Sequence, residues 1–233
     1  MTAPADPVAA PPAPRTEAEL LQRAEALGGL SLAELAARFG QSVPRDPVRA
    51  KGWFGQLVEV ALGATAASLP EPDFQLIGVE LKSLPIDARG RPKESTYVCT
   101  VALTDNVGLT WEDSLVRRKL ARVLWLPVES AAERPLAERR IGTALLWSPD
   151  AEEEDALRRD WEELMDMVCL GELERISARH GTWLQIRPKA ADSRALCAST
   201  DANGDAALSL PRGFYLRTRF TARLLARHWA GAR

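Results

Sequence analysis

The stretch that decides the fold of this 233-residue chain is Pro72-Asp73-Phe74-Gln75-Leu76-Ile77-Gly78-Val79-Glu80-Leu81-Lys82. Its second half predicts a β-strand, because apolar and charged residues alternate and successive side chains of a strand point to opposite faces. Glu80 and Lys82 then share one face, with their Cα atoms about 6–7 Å apart. Val79 and Leu81 share the other face. Asp73 precedes this strand, where a turn would bring its carboxylate back beside Glu80.

Two carboxylates and an ammonium group on one patch are typical of a site that cleaves a phosphodiester. Carboxylate oxygens bind hard cations such as Mg²⁺ or Mn²⁺, which polarise a phosphate and lower the pKa of a bound water. Lys82 is suited to orient or deprotonate that water and to neutralise charge on the phosphate, and the carbonyl of Leu81 offers a further ligand. The alternative is an exposed strand face with a weak ion pair, so the motif depends on its context.

The regions on either side of this stretch predict helices around a group of strands. Capping boxes or apolar residues at helical spacing predict six helices. They begin at Thr16 (with Glu19), at Ser31 (with Glu34), near Gly52, after Thr110, before Trp161 and after Thr221. Strands are predicted over residues 76–84, 96–103, 123–128, 182–187 and 213–219. Helices that flank a central group of strands indicate an α/β or α+β core.

The composition excludes several classes of protein. Charged residues interrupt every apolar run, so no stretch approaches a membrane span. Residues 1–14 are rich in Ala and Pro and lack the pattern of a secretion signal, so we expect a disordered tail and a cytoplasmic protein. Three cysteines without metal-ligand spacing indicate free thiols. Two histidines argue against a His-rich zinc site, and any bound metal is then expected to have oxygen ligands.

The charge is segregated, although the net charge is only −2. Residues 150–172 contain ten acidic and two basic side chains, whereas residues 173–233 contain eleven basic and four acidic ones. A basic third of the chain suits a phosphate backbone. Basic surfaces are common, however, so this feature alone does not establish a nucleic-acid partner.

Eight blocks of sequence carry a family resemblance. They are KGW (51–53), GVELK (78–82), RVLWLPV (122–128), LLWSP (145–149), DWEELMDM (160–167), ARHG (178–181), LQIRPKA (184–190) and LPRGFYL (210–216). In this order the blocks resemble the MutH family of mismatch-repair endonucleases over nearly the whole chain. The resemblance is far more specific than the Asp, Glu and Lys pattern taken alone.

The resemblance implies a restriction-endonuclease-like fold, with a central mixed sheet flanked by helices. Residues 15–233 would form one nuclease domain of two lobes around a DNA cleft. The implied activity is Mg²⁺-dependent nicking of the unmethylated strand at hemimethylated GATC sites in double-stranded DNA, with Mn²⁺ as a substitute cofactor. In the family, MutL activates the latent nuclease and MutS recruits MutL to a mismatch. We expect a monomer without membrane attachment.

The resemblance also implies the residues of the active site. Asp73 and Glu80 match the metal-binding carboxylates, and Lys82 matches the catalytic lysine. Glu59, on the preceding helix, matches a further acidic residue of the site, and one or two metal ions fit this set. Lys119 matches a lysine that reaches the active site. Without the resemblance, Glu59 would be a solvated helix residue and Lys119 part of a solvated basic run.

The DNA-contacting positions of the family match Lys51, Gly52, Tyr97, Arg187, Pro188 and Tyr215. Glycine permits close approach of a backbone, and arginine is suited to reading guanine or binding phosphate. Tyr215 matches an aromatic residue that senses the adenine methyl group. Tyr97 stands where the family has phenylalanine, so a ring remains for wedging or stacking, but its hydroxyl needs a partner if buried. Residues 191–209 match weakly and receive no role.

Two other functions remain open at this point. A related GATC restriction endonuclease would share the catalytic residues but cut both strands without a partner, although the short chain leaves little room for a second DNA-binding module. A non-catalytic DNA-binding module on the same fold is the other alternative. The intact set of Asp73, Glu80 and Lys82 argues against it, because carboxylates near phosphates weaken binding.

Overall fold

The structure, a computed structural model, describes residues 8–45, 52–67, 69–131, 133–189 and 194–231. Its helices are α1 (Glu17–Glu25), α2 (Leu32–Arg38), α3 (Trp53–Leu62), α4 (Leu115–Leu120), α5 (Ala151–Cys169) and α6 (Thr218–Gly231). Its strands are β1 (Glu80–Ile86), β2 (Thr96–Thr100), β3 (Val123–Glu129), β4 (Leu145–Trp147), β5 (Leu184–Pro188), β6 (Cys197–Thr200), β7 (Ala206–Ser209) and β8 (Arg212–Leu216). This mixture of helices and strands confirms the predicted α/β class.

The chain divides into two compact units. Residues 1–93 and 122–148 form the first unit, and residues 94–121 and 149–233 form the second unit. Each unit contains a three-stranded sheet with its own helices.

The sheet of the first unit has the strand order β1-β3-β4. β1 runs parallel to β3, with Glu80 beside Val123 and Lys82 beside Trp125, and β4 runs antiparallel to β3. The sheet is therefore mixed, as the family resemblance implied. One of its faces packs on helices α1 to α3 through buried residues such as Leu35, Leu57 and Leu124. Burial of each such side chain contributes about 1.5–3 kcal/mol of hydrophobic free energy.

Helix caps in the first unit follow the sequence closely. Ser31 and Glu34 form the predicted reciprocal capping box, with the Ser31 amide donating to Glu34 Oε2 at 2.7 Å. Thr16 caps α1 by accepting from the amide of Glu19 at 3.1 Å. The Glu19 carboxylate accepts from the amide of Arg15 at 2.8 Å, so this cap differs from the predicted reciprocal box.

The segment expected to be a tail makes contacts from residue 8 onward. The Val8 amide donates to the carbonyl of Arg38 at 2.7 Å, and Arg23 Nη1 donates to the carbonyl of Pro12 at 2.7 Å. Residues 8–14 are therefore held on the first unit, whereas the sequence analysis expected disorder up to residue 14. The first seven residues lie outside the described part of the chain.

The main sheet of the second unit is antiparallel, with the order β2-β8-β5. Tyr97 of β2 and Gln185 of β5 both lie opposite Tyr215 of β8. A separate hairpin of β6 and β7 falls within residues 191–209, for which the sequence predicted no structure. Cys99, Cys169 and Cys197 are free thiols, as predicted. Among the described residues, no helix is long and apolar enough to cross a membrane.

The predicted strands have somewhat different limits in the structure, and two of the differences occur where the chain enters a turn or a helix. The strand expected over 76–84 begins only at Glu80, because residues 75–77 form a 3₁₀ turn and Gly78 has a positive φ of 65°. The strand expected over 213–219 ends at Leu216, and α6 begins at Thr218 instead of after Thr221. At residues 76–77 apolar side chains continue into the turn, and at residues 217–219 a threonine between two arginines continues into the helix, so the pattern alone misplaces both boundaries.

Candidate active site

The loop between Asp73 and Glu80 folds back on itself. The amides of Phe74 and Val79 donate to each other's carbonyl groups at 2.9 and 3.3 Å, and Gly78 supplies the left-handed residue of the turn. This turn places Asp73 beside β1, where its Oδ2 accepts a hydrogen bond from the amide of Leu81 at 2.8 Å. The structure thus confirms the predicted turn that brings Asp73 back to the strand.

Glu80 and Lys82 form a buried ion pair on one face of β1. Lys82 Nζ lies 2.7 Å from Glu80 Oε1, and the two residues are only 8% and 3% exposed. The strand is therefore not an exposed face with a weak ion pair, which was the alternative for this motif. Buried charges are costly to desolvate unless they are paired, so each of these two groups stabilises the other in place.

Helix α3, which carries Glu59, is followed by a segment that pairs with this loop. α3 lies between Gly52 and Gly63, which have positive φ values of 84° and 80°, so the predicted start of this helix near Gly52 is confirmed. Beyond its end, the amide of Thr65 donates to the carbonyl of Asp73 at 2.9 Å. Glu59 and Asp73 are both half-buried, and the hydrogen bond of Thr65 joins the segment after α3 to the Asp73 loop.

The donor set around β1 fits one hard divalent cation. The Asp73 carboxylate accepts a hydrogen bond from the amide of Leu81, the residue that follows Glu80. Mg²⁺ is typically held by one or two carboxylates, with water and substrate oxygens as the other ligands. Within the described part of the chain, no group of three or more Asp, Glu, His or Cys side chains is placed to hold a metal ion. Glu59 is therefore not part of a preassembled three-carboxylate cluster with Asp73 and Glu80.

An exposed face of the second unit brings together three of the predicted DNA-contacting residues. The rings of Tyr97 and Tyr215 meet edge to face, with centroids 5.4 Å apart. Arg187 Cζ lies 5.7 Å from the centroid of the Tyr215 ring, and Lys189 Nζ lies 3.4 Å from that of the Tyr97 ring. We call this group, together with Gln185, the aromatic face.

Gly213 explains why the two rings fit side by side. A Cβ atom at this position would lie 3.0 Å from the Tyr97 ring and 3.1 Å from the Tyr215 ring. Arg187 lies opposite Gly213 in the sheet and donates to Ser95 Oγ at 2.9 Å. The aromatic face thus combines flat rings with cations, a combination that suits stacking and phosphate or base contacts.

The remaining predicted residues lie in different places. Pro188 ends β5 and is exposed, and Gly52 is the exposed residue before α3. Lys51 lies outside the described residues. Lys119 of α4 belongs to the second unit and is only 9% exposed, whereas its neighbours Arg117 and Arg118 are exposed. This basic run is therefore not a uniformly solvated face.

Asp160 of α5 is a buried carboxylate to which the sequence analysis gave no role. It accepts hydrogen bonds from three consecutive amides, those of Thr182 (2.7 Å), Trp183 and Leu184 (2.8 Å). These amides lead directly into β5, which carries Arg187. The position of Asp160 among apolar residues of an amphipathic helix is the signal that would have identified it, because a charge there requires buried partners.

Comparisons with known proteins agree with the geometry. The family model described as DNA mismatch repair enzyme MutH matches residues 62–160. The DNA mismatch repair protein MutH of Yersinia enterocolitica is 58% identical over 220 residues, which cover 94% of this chain and 96% of the relative. The MutH of Klebsiella pneumoniae is 59% identical over 96% of both chains, and that of Escherichia coli (strain K12 / DH10B) is 57% identical over 93% of this chain and 94% of the relative.

Proposed function

Since the chain belongs to the MutH family of DNA mismatch repair enzymes, and is thus a DNA endonuclease of restriction-endonuclease-like fold, we propose that it nicks the unmethylated strand at hemimethylated GATC sites. We propose Mg²⁺ as the cofactor, with Mn²⁺ as a substitute. The observation that carries this proposal is the buried pair of Glu80 and Lys82 beside the Asp73 carboxylate. It offers carboxylate oxygens that would hold a metal ion and a cation fixed beside them at the start of β1.

Asp73 and Glu80 would hold the cation, and Glu59 would contribute at the edge of this pair. Mg²⁺ bound there would polarise the scissile phosphate and lower the pKa of a water molecule. The Lys82 ammonium is fixed by Glu80 at 2.7 Å, so its position is set before the substrate arrives. From there it would orient the attacking water and neutralise charge that develops on the phosphate. Lys119 is proposed as a second lysine for the same step.

Recognition of DNA is assigned to the second unit and to residues 51 and 52, which precede α3 in the sequence. Arg187 and Pro188 would contact base edges or phosphates, and Tyr215 would meet the methyl group of adenine. Tyr97 packs edge to face on Tyr215, so the phenylalanine-to-tyrosine difference from the family retains the ring in this pair. Lys51 and Gly52 would approach the backbone of the duplex.

The partners are proposed from the family. MutL would activate the nuclease, and MutS would act indirectly by recruiting MutL to a mismatch. We propose that the chain works as a cytoplasmic monomer on double-stranded DNA. A closed circular substrate separates this role from that of a restriction enzyme, because a nickase yields open circles and a restriction enzyme yields linear DNA.

The test is a cleavage assay on a plasmid with one hemimethylated GATC site, with Mg²⁺ and with or without MutL and ATP. Asp73→Asn is the matched variant, because its amide oxygen can still accept from Leu81 while the charge is lost. We expect nicks confined to the unmethylated strand, stimulated by MutL and lost with Asp73→Asn. Linear product would indicate a restriction endonuclease, and equal cleavage of both strands would refute methyl-directed discrimination.

A further inference from the structure

An open pocket in the second unit lies at one end of the aromatic face. Its volume is about 250 Å³. The residues that line it are Ser95, Gln185, Arg217, Thr218 and Arg219. This lining consists of hydroxyl, amide and guanidinium groups, with no acidic residue among them, so it favours a small anionic ligand over an apolar one.

The strand register makes the pocket a continuation of the aromatic face. Gln185, which lines the pocket, lies directly opposite Tyr215. The amide of Arg217 donates to the carbonyl of Trp183 at 2.8 Å, so the backbone pairing between β8 and β5 extends to this residue. Residues two apart on a strand share a face, with Cα atoms about 6–7 Å apart. Arg217 therefore lies one such step beyond Tyr215.

Two guanidinium groups in this pocket are held by backbone carbonyl groups and not by direct ion pairs. Arg217 Nη2 donates to the carbonyl of His180 at 2.7 Å, and Arg219 Nε donates to that of Thr182 at 2.5 Å. Across the described residues, neither guanidinium forms an ion pair with a carboxylate. Burial and the adjacent charge of Arg219 lower the pKa of Arg217, against a smaller opposing effect of the Asp160 carboxylate. A ligand with negative charge would relieve this repulsion.

We propose that the pocket binds one backbone phosphate of the DNA duplex, next to the base pair contacted at Tyr215. This inference rests on the proposed function, and it adds a subsite that positions the duplex without reading its sequence. A phosphodiester carries one charge and two free oxygens that accept from guanidinium and hydroxyl donors. Ser95 Oγ accepts from Arg187, so the Ser95 hydroxyl hydrogen is available to the phosphate. The pocket is thereby linked to Arg187 on the aromatic face.

The main experiment compares Arg219→Gln with the wild-type protein. Glutamine removes the charge but keeps an amide that can donate toward the carbonyl of Thr182. We expect the Kd to rise by the same factor, roughly 3- to 10-fold, for a GATC duplex and a scrambled duplex, and the slope of log Kd against log salt to decrease by about 1. The matched control is Arg159→Gln, an exposed arginine of the same unit that pairs with Asp155, and its salt slope should stay unchanged.

A methylphosphonate scan identifies the phosphate. Neutral linkages are placed one at a time through the GATC duplex, and the Kd is measured for the wild-type protein, Arg219→Gln and Thr218→Val. We expect one linkage that weakens wild-type binding but no longer affects Arg219→Gln, and a partial loss of this effect in Thr218→Val. Thr218→Val also covers the case in which Arg219→Gln does not fold, which its circular dichroism would show.

Each other outcome has a separate meaning. The subsite would be overturned, with the proposed function intact, if Arg219→Gln had the salt slope of the wild-type protein. It would also be overturned if each neutral linkage weakened binding of this variant as much as it weakens binding of the wild-type protein. If inorganic phosphate displaces the duplex more strongly than chloride at equal ionic strength, and does so only with Arg219 present, the ligand is free phosphate and the duplex assignment is wrong. A wild-type protein that binds neither duplex would overturn the proposed function together with the subsite.

Discussion

The charged side chains of β1 in the first unit and those of the aromatic face in the second unit differ in their exposure to water. In the first unit, the charges on the face of β1 are buried and paired, since Glu80 and Lys82 are 3% and 8% exposed and lie 2.7 Å apart. In the second unit, Arg187 and Lys189 are exposed, and each lies over a tyrosine ring. The first arrangement fixes charges away from water, and the second leaves cations within reach of a large ligand.

This difference follows from what each region is proposed to do. A charge that acts on a reacting phosphate works best when it is already oriented in a site of low dielectric constant. A cation that reads a duplex must reach base edges and phosphates, and it gains from being exposed before binding. The comparison predicts that substitutions of Glu80 and Lys82 change the rate of cleavage, whereas substitutions in the aromatic face change affinity and specificity.

The largest expected effect comes from Lys82→Gln. Nicking should fall by about 10²- to 10³-fold, because the cation that orients the water and neutralises charge on the phosphate is lost, while the Kd for a GATC duplex stays within about threefold. Stability should also fall, by up to about 3–5 kcal/mol, because Glu80 is left buried without its partner. Plasmid nicking, duplex binding and urea unfolding measure the three quantities.

The double variant Glu80→Gln/Lys82→Gln separates catalysis from folding. Removing both charges should restore part of the stability lost in Lys82→Gln, because no unpaired charge remains, but it should not restore nicking. A double variant that recovers both stability and activity would mean that the ion pair only supports the fold. The buried pair of Glu80 and Lys82 would then have no catalytic role.

A second effect concerns sequence preference and the aromatic face. Arg187→Met should lower the preference for a GATC duplex over a scrambled one by about 5- to 150-fold, since a bidentate base contact contributes about 1–3 kcal/mol. Competition binding with the two duplexes measures this ratio. Lys189→Met is the comparison variant, and it should weaken both duplexes equally. A uniform loss in Arg187→Met would instead identify Arg187 as a phosphate contact.

The parts of the fold that could be predicted are those with a strong local signal. Gly52 and Gly63 bound α3 because their positive φ values suit glycine, and the alternation of residues 79–82 predicted the shared face of Glu80 and Lys82. The burial of that face was not predictable, because local alternation does not show what a polar face packs against. The family resemblance, and not the pattern, singled out Glu59 and Lys119.

The parts that could not be predicted depend on long-range contacts or on weak local patterns. The β6 and β7 hairpin consists of short, half-polar strands around Asp201, whose Oδ1 accepts from the amides of Asn203 and Asp205 at 2.8 and 3.0 Å. Such strands lack an apolar signal. The pocket beside Arg217 combines residues more than 100 positions apart in the sequence, and only the pairing of β2, β8 and β5 brings them together.

Asp160 offers a test of intermediate size, because it is a buried carboxylate of the second unit with backbone partners instead of a lysine. Asp160→Asn replaces one acceptor oxygen by a donor, so at least one of the three amides it binds loses its partner. We expect a loss of about 1–3 kcal/mol in the free energy of unfolding. We also expect a weaker preference for the GATC duplex, because β5 carries Arg187.

The matched control for this change is Asp166→Asn, which alters an exposed carboxylate of the same helix and should leave both quantities unchanged. The outcome that contradicts the positioning role is a large fall in nicking with stability and sequence preference intact. Asp160 would then belong to the catalytic machinery, and buried carboxylates of both units would serve catalysis.

The smallest expected effect concerns an exposed ion pair of the first unit, and it tests whether such a pair stabilises the protein as the buried pair of Glu80 and Lys82 does. The hydrogen bond from Arg122 lowers the pKa of Glu17, and the carbonyl of Arg122 accepts from the amide of Glu80 at 2.9 Å, so this pair supports the start of β3 beside the site. A carboxyl group whose pKa is lowered by folding stabilises the protein above its usual pKa of 4.5, and this stabilisation is lost as the pH falls below that value.

Glu17→Gln should therefore cost less than about 1 kcal/mol at pH 7, because the pair is partly exposed, and the difference in the free energy of unfolding from wild type should disappear in acid. Unfolding measured from pH 7 down to pH 3, beside the exposed Glu25→Gln on the same helix, checks this sign. A difference that persists at low pH would show that packing of Glu17, and not its charge, stabilises the start of β3.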